Sequence, residues 1–412
     1  SLGDEVSFTP AGNPWDGCRS PTCAAGFAET VHGRTEKAVP TTDAVRLALV
    51  DGDRTLLEPW LARRRFHKDV LERLLLVLRD SAERSHEVPV GLLGVAGETA
   101  FGGVSQRVLS GLDFVECYPV LDTQELFYTA RNGRTPRSLR TVFLAGEGPA
   151  GVAWQAWEHW MRGGDGLIVW CDADLEDMPA RRGRLAGAVS DLRRVRAEVP
   201  DFAPAPRGVA LLHDWNALAG GFLSDALLDG PTWPRRFASY QREHGRVERA
   251  TRAWLRWLED SGYQPGAVTD RPSTERFPVL IAWDEVFRPD PRIDTYLDRR
   301  LSPKGRVPFA SIDGGLLEAA GVERAPWELA GEATTLPWLS TWSRDAKGTG
   351  WVCATIPNLV SKEERNAHLR ELVLEIAPPA GMDLVWVHPP ADEDGPRTLP
   401  AGDAAVFRLV PR

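Results

Sequence analysis

The chain has 412 residues, 43% of them hydrophobic and 26% charged, enough for two or three domains with large cores. Its net charge of −9 argues against a nucleic-acid partner, because phosphate contacts want clustered Lys and Arg. No apolar run reaches the eighteen or so residues of a membrane span, so no membrane partner is expected.

In chain order, the opening Gly3-Asp4-Glu5-Val6-Ser7-Phe8 fits the end of a strand. Phe66, Val70, Leu74 and Leu78 fall at helical spacing among Arg, Lys and Glu, and predict an amphipathic helix. Residues 88–95 predict a short strand leaving through Ala96-Gly97-Glu98, and residues 112–118 a second, stopped by Pro119. Residues 141–145 predict a third, ending at Gly146-Glu147-Gly148-Pro149. A Trp-rich helix follows over 152–161, then a fourth strand over 166–170 that ends in Cys171-Asp172-Ala173-Asp174. Strands alternating with helices predict parallel β/α units. Polar residues just past the strand ends lie where a β/α barrel builds its site.

Three prolines within 199–206 mark a linker. Beyond it, strands over 209–212, 279–282 and 307–312, a helix face of Val247, Ala250, Trp254 and Leu258, and a helix over 293–301 predict a doubly wound α/β unit. From residue 366, short strands over 372–376, 384–387 and 405–409 alternate with Pro- and Gly-rich turns, which predicts a small β-rich module. The expected domains are therefore 1–198, 207–365 and 366–412.

Cysteines stand at 18, 23, 117, 171 and 353, an odd number with no CxxC pair, so no four-cysteine zinc site is readable. Cys18 and Cys23 offer a metal site or a disulfide on paper, but free thiols in a reducing, cytoplasmic setting fit the pattern better. The 16 tryptophans suit the apolar faces of sugar rings as well as a core. Glycoside hydrolysis needs two carboxyl groups flanking the scissile bond. Glu5, Glu98 and Glu147 all follow predicted strands in suitable places, and nothing in their spacing alone ranks them.

Leu2-Gly3-Asp4-Glu5, with Ser20-Pro21-Thr22-Cys23 and Phe27, resembles the strand-4 region of family 42 glycoside hydrolases of the β-galactosidase type. Residues 143–154, from Phe143 through Glu147 to Trp154, resemble their strand-7 nucleophile segment, and residues 156–170 their eighth β/α unit. The segment from Gly208 resembles their glutamine-amidotransferase-like trimerisation domain. The resemblance implies an α/β fold: strands 4–8 of a (β/α)8 barrel, then the amidotransferase-like unit, then the β-rich module. It implies a retaining β-glycosidase, with Glu5 as acid/base and Glu147 as nucleophile, and a homo-oligomer, a trimer as in that family. Asp4, Glu98, Tyr118, Trp154, Trp170 and Asp172 become candidate contacts to a glycoside or oligosaccharide substrate. Tyr118 reads equally as a barrel-rim residue, and Trp15 and Trp60 are candidates to line the cleft.

Three departures stand out. Asp4 occupies the position where Asn is usual. The cysteines lack the clustered spacing of the family's zinc site, so no metal and no cofactor is expected. Strands 1 to 3 have no counterpart, which implies a piece of a longer protein or a partner segment. An active amidotransferase would need a Cys on a Gly-flanked elbow. The sole Cys past residue 171 is Cys353, far beyond that place, so the second unit is expected to be structural.

Overall fold

The computed structural model describes residues 20–30, 39–86, 88–95, 106–117, 137–144, 147–170, 178–220, 223, 246–268, 277–281, 314–359, 361–390 and 397–412. Helices α1 (Pro21–Thr30), α2 (Thr42–Val50) and α3 (Leu57–His86) come first. Strand β1 (Gly91–Val95), helix α4 (Gln106–Leu109), β2 (Phe114–Cys117), β3 (Arg137–Phe143), helix α5 (Pro149–Met161), β4 (Gly166–Trp170) and helix α6 (Met178–Glu198) follow. The four strands form one parallel sheet in the order β1-β2-β3-β4. A parallel sheet that runs in chain order, without reversal, is consistent with an arc of a β/α barrel.

The helix α3 forms where its spacing predicts, but it presents a different face. Val70, Leu74 and Leu78 are 41%, 52% and 41% exposed, whereas Trp60, Leu61, Phe66 and Leu75 are buried. Leu75 packs with Leu92, Val108, Leu112 and Val115, so the strands that follow α3 select its inner face. Trp60 is likewise a core residue: its indole N–H donates to Thr42 Oγ1 at 2.9 Å, among Val45, Trp215 and Leu223.

Helix α5 is buried on all sides from Gly151 to Met161. Pro149 opens it, where a missing N–H costs nothing. Its tryptophans spread over several neighbours: Trp157 stacks on His388 at 4.7 Å, and Trp160 on Phe202 of the linker at 4.6 Å.

After the linker, β5 (Val209–Leu212), helix α7 (Arg246–Asp260), β6 (Gly266–Val268) and β7 (Val279–Ile281) build a second parallel sheet in the order β6-β5-β7. The first strand lies in the middle, which is the strand reversal of a doubly wound sheet. Ala250, Trp254 and Leu258 of α7 are buried against it. The segments 293–301 and 307–312 lie outside the described residues.

A short helix α8 (Gly314–Ala319) leads into antiparallel structure: β8 (Glu328–Ala330), β9 (Trp338–Arg344), β10 (Trp351–Pro357), helix α9 (Lys362–His368), β11 (Leu372–Ala377), β12 (Met382–His388), β13 (Arg397–Leu399) and β14 (Ala405–Pro411). These strands make two sheets, β12-β14-β10-β9 and β13-β11-β8. The terminal β structure thus reaches well upstream of residue 366. Alternation along β10 and β14 explains the packing. Cys353, Phe407 and Leu409 face the smaller sheet, while Val352, Ala354, Ile356 and Val406 join the core around α5. β9, β10 and β14 of the larger sheet are therefore buried on both faces, whereas Val385 of the edge strand β12 is 46% exposed. Among the described residues, no helix is long and apolar enough to cross a membrane.

Candidate active site

The site is built on the C-terminal ends of β2, β3 and β4. Val115 and Cys117 of β2, and Val142 and the adjacent Leu144 of β3, pack towards the helices. By alternation Glu116, Thr141 and Phe143 belong to the opposite face, the one a closed barrel turns inward. Phe143 and Trp170 are register partners across β3 and β4, and both are open, at 39% and 52% exposure. Two aromatic residues side by side at a strand end offer a flat apolar surface of the kind that takes a sugar face.

Glu116, which the sequence did not single out, stands on this same face. Its carboxylate is buried and accepts the backbone N–H of Gly94 at 2.5 Å and of Thr141 at 3.2 Å. It therefore staples β1 and β3 to β2. The signal was present as a lone acid inside an otherwise apolar strand. The Cys117 thiol beside it is pushed well up by burial and then by the Glu116 charge, which keeps it protonated at neutral pH.

Glu147 stands between β3 and α5, one residue before the N-cap Gly148. Arg365 of α9 grips it at both oxygens: Nε donates to Oε2 at 2.9 Å, and Nη2 donates to Oε1. The two side chains are 9% and 13% exposed. The carboxylate also leans on the first turn of α5, where a Cβ on Gly151 would come within 2.4 Å of Oε2. Trp154, expected from the sequence to contact substrate, is 1% exposed. Its indole N–H donates to Pro357 O at 2.8 Å, and its ring carries the Arg365 guanidinium at 4.9 Å from the centroid. It therefore supports Glu147 from below and has no free face for a sugar. Arg181 of α6 donates to Leu144 O and fixes the end of β3.

Asp4, Glu5, Glu98, Tyr118 and Asp172 lie outside the described residues, as do Trp15 and Cys18. Among the described residues, no group of three or more His, Cys, Asp or Glu is arranged to hold a metal ion. Cys23, Cys117 and Cys353 are free thiols, and burial holds the Cys353 thiol well above its ordinary range.

No protein-family model matches the chain, and no curated protein matches it in sequence. Among solved structures, the chain is similar to an apo exo-carrageenase GH42 from Bacteroides ovatus, with a TM-score of 0.50 and 9% identity over 84% of this chain and 56% of that one. It is also similar to a β-galactosidase from the psychrophilic Marinomonas ef1, with a TM-score of 0.48 and 12% identity over 94% of this chain and 76% of that one. An α-L-fucosidase isoenzyme 2 from Paenibacillus thiaminolyticus gives 0.48 and 10% over 90% and 76%. The chain thus spans about half the length of the exo-carrageenase, whose fold it shares. The solved structure that the chain resembles in fold carries the same family designation, GH42, as the hydrolases that residues 143–154 resemble in sequence.

Proposed function

We propose that this chain belongs to a retaining glycoside hydrolase acting on β-linked sugars, with β-galactosides first. The observation that supports this best is the placement of Glu147. It follows the third strand of a sheet running in chain order, within a fold similar to that of a GH42 exo-carrageenase. In this reading Glu147 attacks the anomeric carbon while Glu5 protonates the leaving oxygen, and Glu5 then takes a proton from the water that releases the sugar. Trp170, with Phe143 beside it, carries the apolar face of the sugar. Asp4, Glu98, Tyr118 and Asp172 contact its hydroxyls or position Glu147. No metal or cofactor is required. The second α/β unit serves assembly, which the mass of the full-length protein in solution tests.

The test is a panel of chromogenic glycosides run on the complete gene product. Glu147→Gln is expected to abolish hydrolysis while the protein stays folded. Undiminished hydrolysis by the folded variant removes Glu147 from the mechanism.

A second reading is a non-catalytic carbohydrate-binding or assembly protein on the same scaffold. It is favoured by the two-point grip of Arg365, which engages both oxygens of Glu147. On that reading the wild-type protein turns over no glycoside in the panel and binds galactosides by calorimetry, and Glu147→Gln lowers the melting temperature.

A further inference from the structure

We propose that Arg365 is a positioning residue for Glu147, so that the antiparallel module supplies part of the active site rather than merely following it in the chain. This rests on the reading of Glu147 as nucleophile. Arg365 meets Glu147 across 218 residues of sequence, through Nε and Nη2 in the planar fork geometry that fixes a carboxylate's orientation as well as its place. The fork is itself held. Its guanidinium lies over the Trp154 ring, which is anchored to Pro357 O, and its Nη1 donates to Leu359 O at 3.4 Å. Both anchoring carbonyls follow the end of β10 or belong to it, so the module's own sheet sets where the fork stands.

The module touches the same turn of α5 a second time. Gly402, between β13 and β14, lies so close to Ala150 that a Cβ there would be 2.1 Å from Ala150 O. The module thus contacts both Glu147 and Ala150, at the start of α5. The grip does not by itself silence the carboxylate. An ionised carboxylate has about four lone-pair positions, and the fork uses one on each oxygen. An orientation fixed in advance is what an attacking group needs, because a misplacement of about 1 Å lowers a rate by about a hundredfold.

The experiment compares wild type, Arg365→Gln, Arg365→Lys and Glu147→Gln of the full-length protein on a chromogenic β-galactoside, with melting temperatures alongside. Arg365→Gln is expected to lower kcat by about a hundredfold with KM within about twofold, since the lost interaction orients the reacting group and not the substrate. Arg365→Lys keeps the charge without the fork and is expected to recover about tenfold. If Arg365→Gln does not fold, Arg365→Lys carries the test: a folded Lys variant with wild-type kcat overturns the proposal. A kcat within twofold of wild type in Arg365→Gln, where Glu147→Gln is dead, overturns it while leaving Glu147 in place. Turnover that survives Glu147→Gln overturns the reading of Glu147 and the proposal together.

Discussion

At the scale of single residues, the largest commitment of this structure is a buried charge network away from the proposed site. Glu158 of α5 is paired with Arg140 of β3 and Arg162, and Arg162 Nη1 reaches Glu259 of α7 at 2.6 Å. Asn358 donates to Glu259 at 3.0 Å and to Asp260 at 2.8 Å. Burial would raise Glu158 and Glu259, but the guanidinium groups beside each outweigh it and hold both carboxyls below their ordinary range. Removing one partner strands a buried charge, so Glu158→Ala is expected to cost about 3–5 kcal/mol in urea unfolding. His159 and His388 add to the acid sensitivity. Burial lowers His159 from 6.5 to about 3 and His388 from 6.5 to about 4. Arg194 Nη2 donates to His388 Nδ1 at 2.8 Å, which requires that nitrogen to be unprotonated. For both histidines the unfolded chain takes up a proton first. Stability is therefore full above about pH 6.5 and is lost as pH falls towards 4 and then 3. The two glutamates act in the same direction below their ordinary 4.5, where unfolded carboxylates protonate before folded ones. Melting temperature followed from pH 7 to 3 should fall throughout; a flat profile down to pH 4 contradicts the histidine assignments.

At the scale of elements, α5 shows what sequence pattern can and cannot deliver. The helix itself was legible over 152–161, where the tryptophans recur, but Pro149 opens it three residues before the expected start. Its complete burial was not, because the residues that cover it come from β10, β12 and β14, some two hundred residues later. The helix α3 makes the complementary point: periodicity located it, but the stripe of Val70, Leu74 and Leu78 looks inward only if no neighbour competes, and Leu75 found the better one. Glu147 was visible as a strand-end acid, whereas Arg365 had no local mark; an Arg in a short charged helix looks like any surface Arg until the sheet places it. Gly402 gives the element-scale prediction. Its φ of +82 and its approach to Ala150 leave no room for a side chain. Gly402→Ala is expected to cost about 1–3 kcal/mol by thermal or chemical denaturation. It should also lower hydrolysis if the first turn of α5 shifts.

At the scale of the whole molecule, the order of parallel strands in the first sheet followed from chain order, and so the barrel arc was readable from sequence. The extent of the antiparallel module was not. Apart from the β9–β10 hairpin, its sheets pair strands that no local turn connects: β14 lies between β12 and β10, and β8 reaches β11. One core cluster holds Val142 and Leu144 of the barrel arc, most of α5, Leu185 and Leu192 of α6, and Leu339, Ile356 and Val406 of the larger sheet. Removing the antiparallel module would strip α5 of a buried face of Trp, Val and Ala side chains. Residues 1–206 expressed alone are therefore expected to be insoluble or molten, with no cooperative thermal transition; a sharp transition in that fragment would show that the arc carries its own core.

The double-faced burial of β9, β10 and β14 also bears on descent. A sheet with one free face can drift, or be exchanged for another of the same shape, without asking anything of its neighbour. This one has side chains fitted to the tryptophans of α5 on one side and to the smaller sheet on the other. Chimaeras that graft the module from a distant homologue should fail unless α5 travels with it, so the two segments are a single heritable unit despite a separation such as the 203 residues between Trp154 and Pro357.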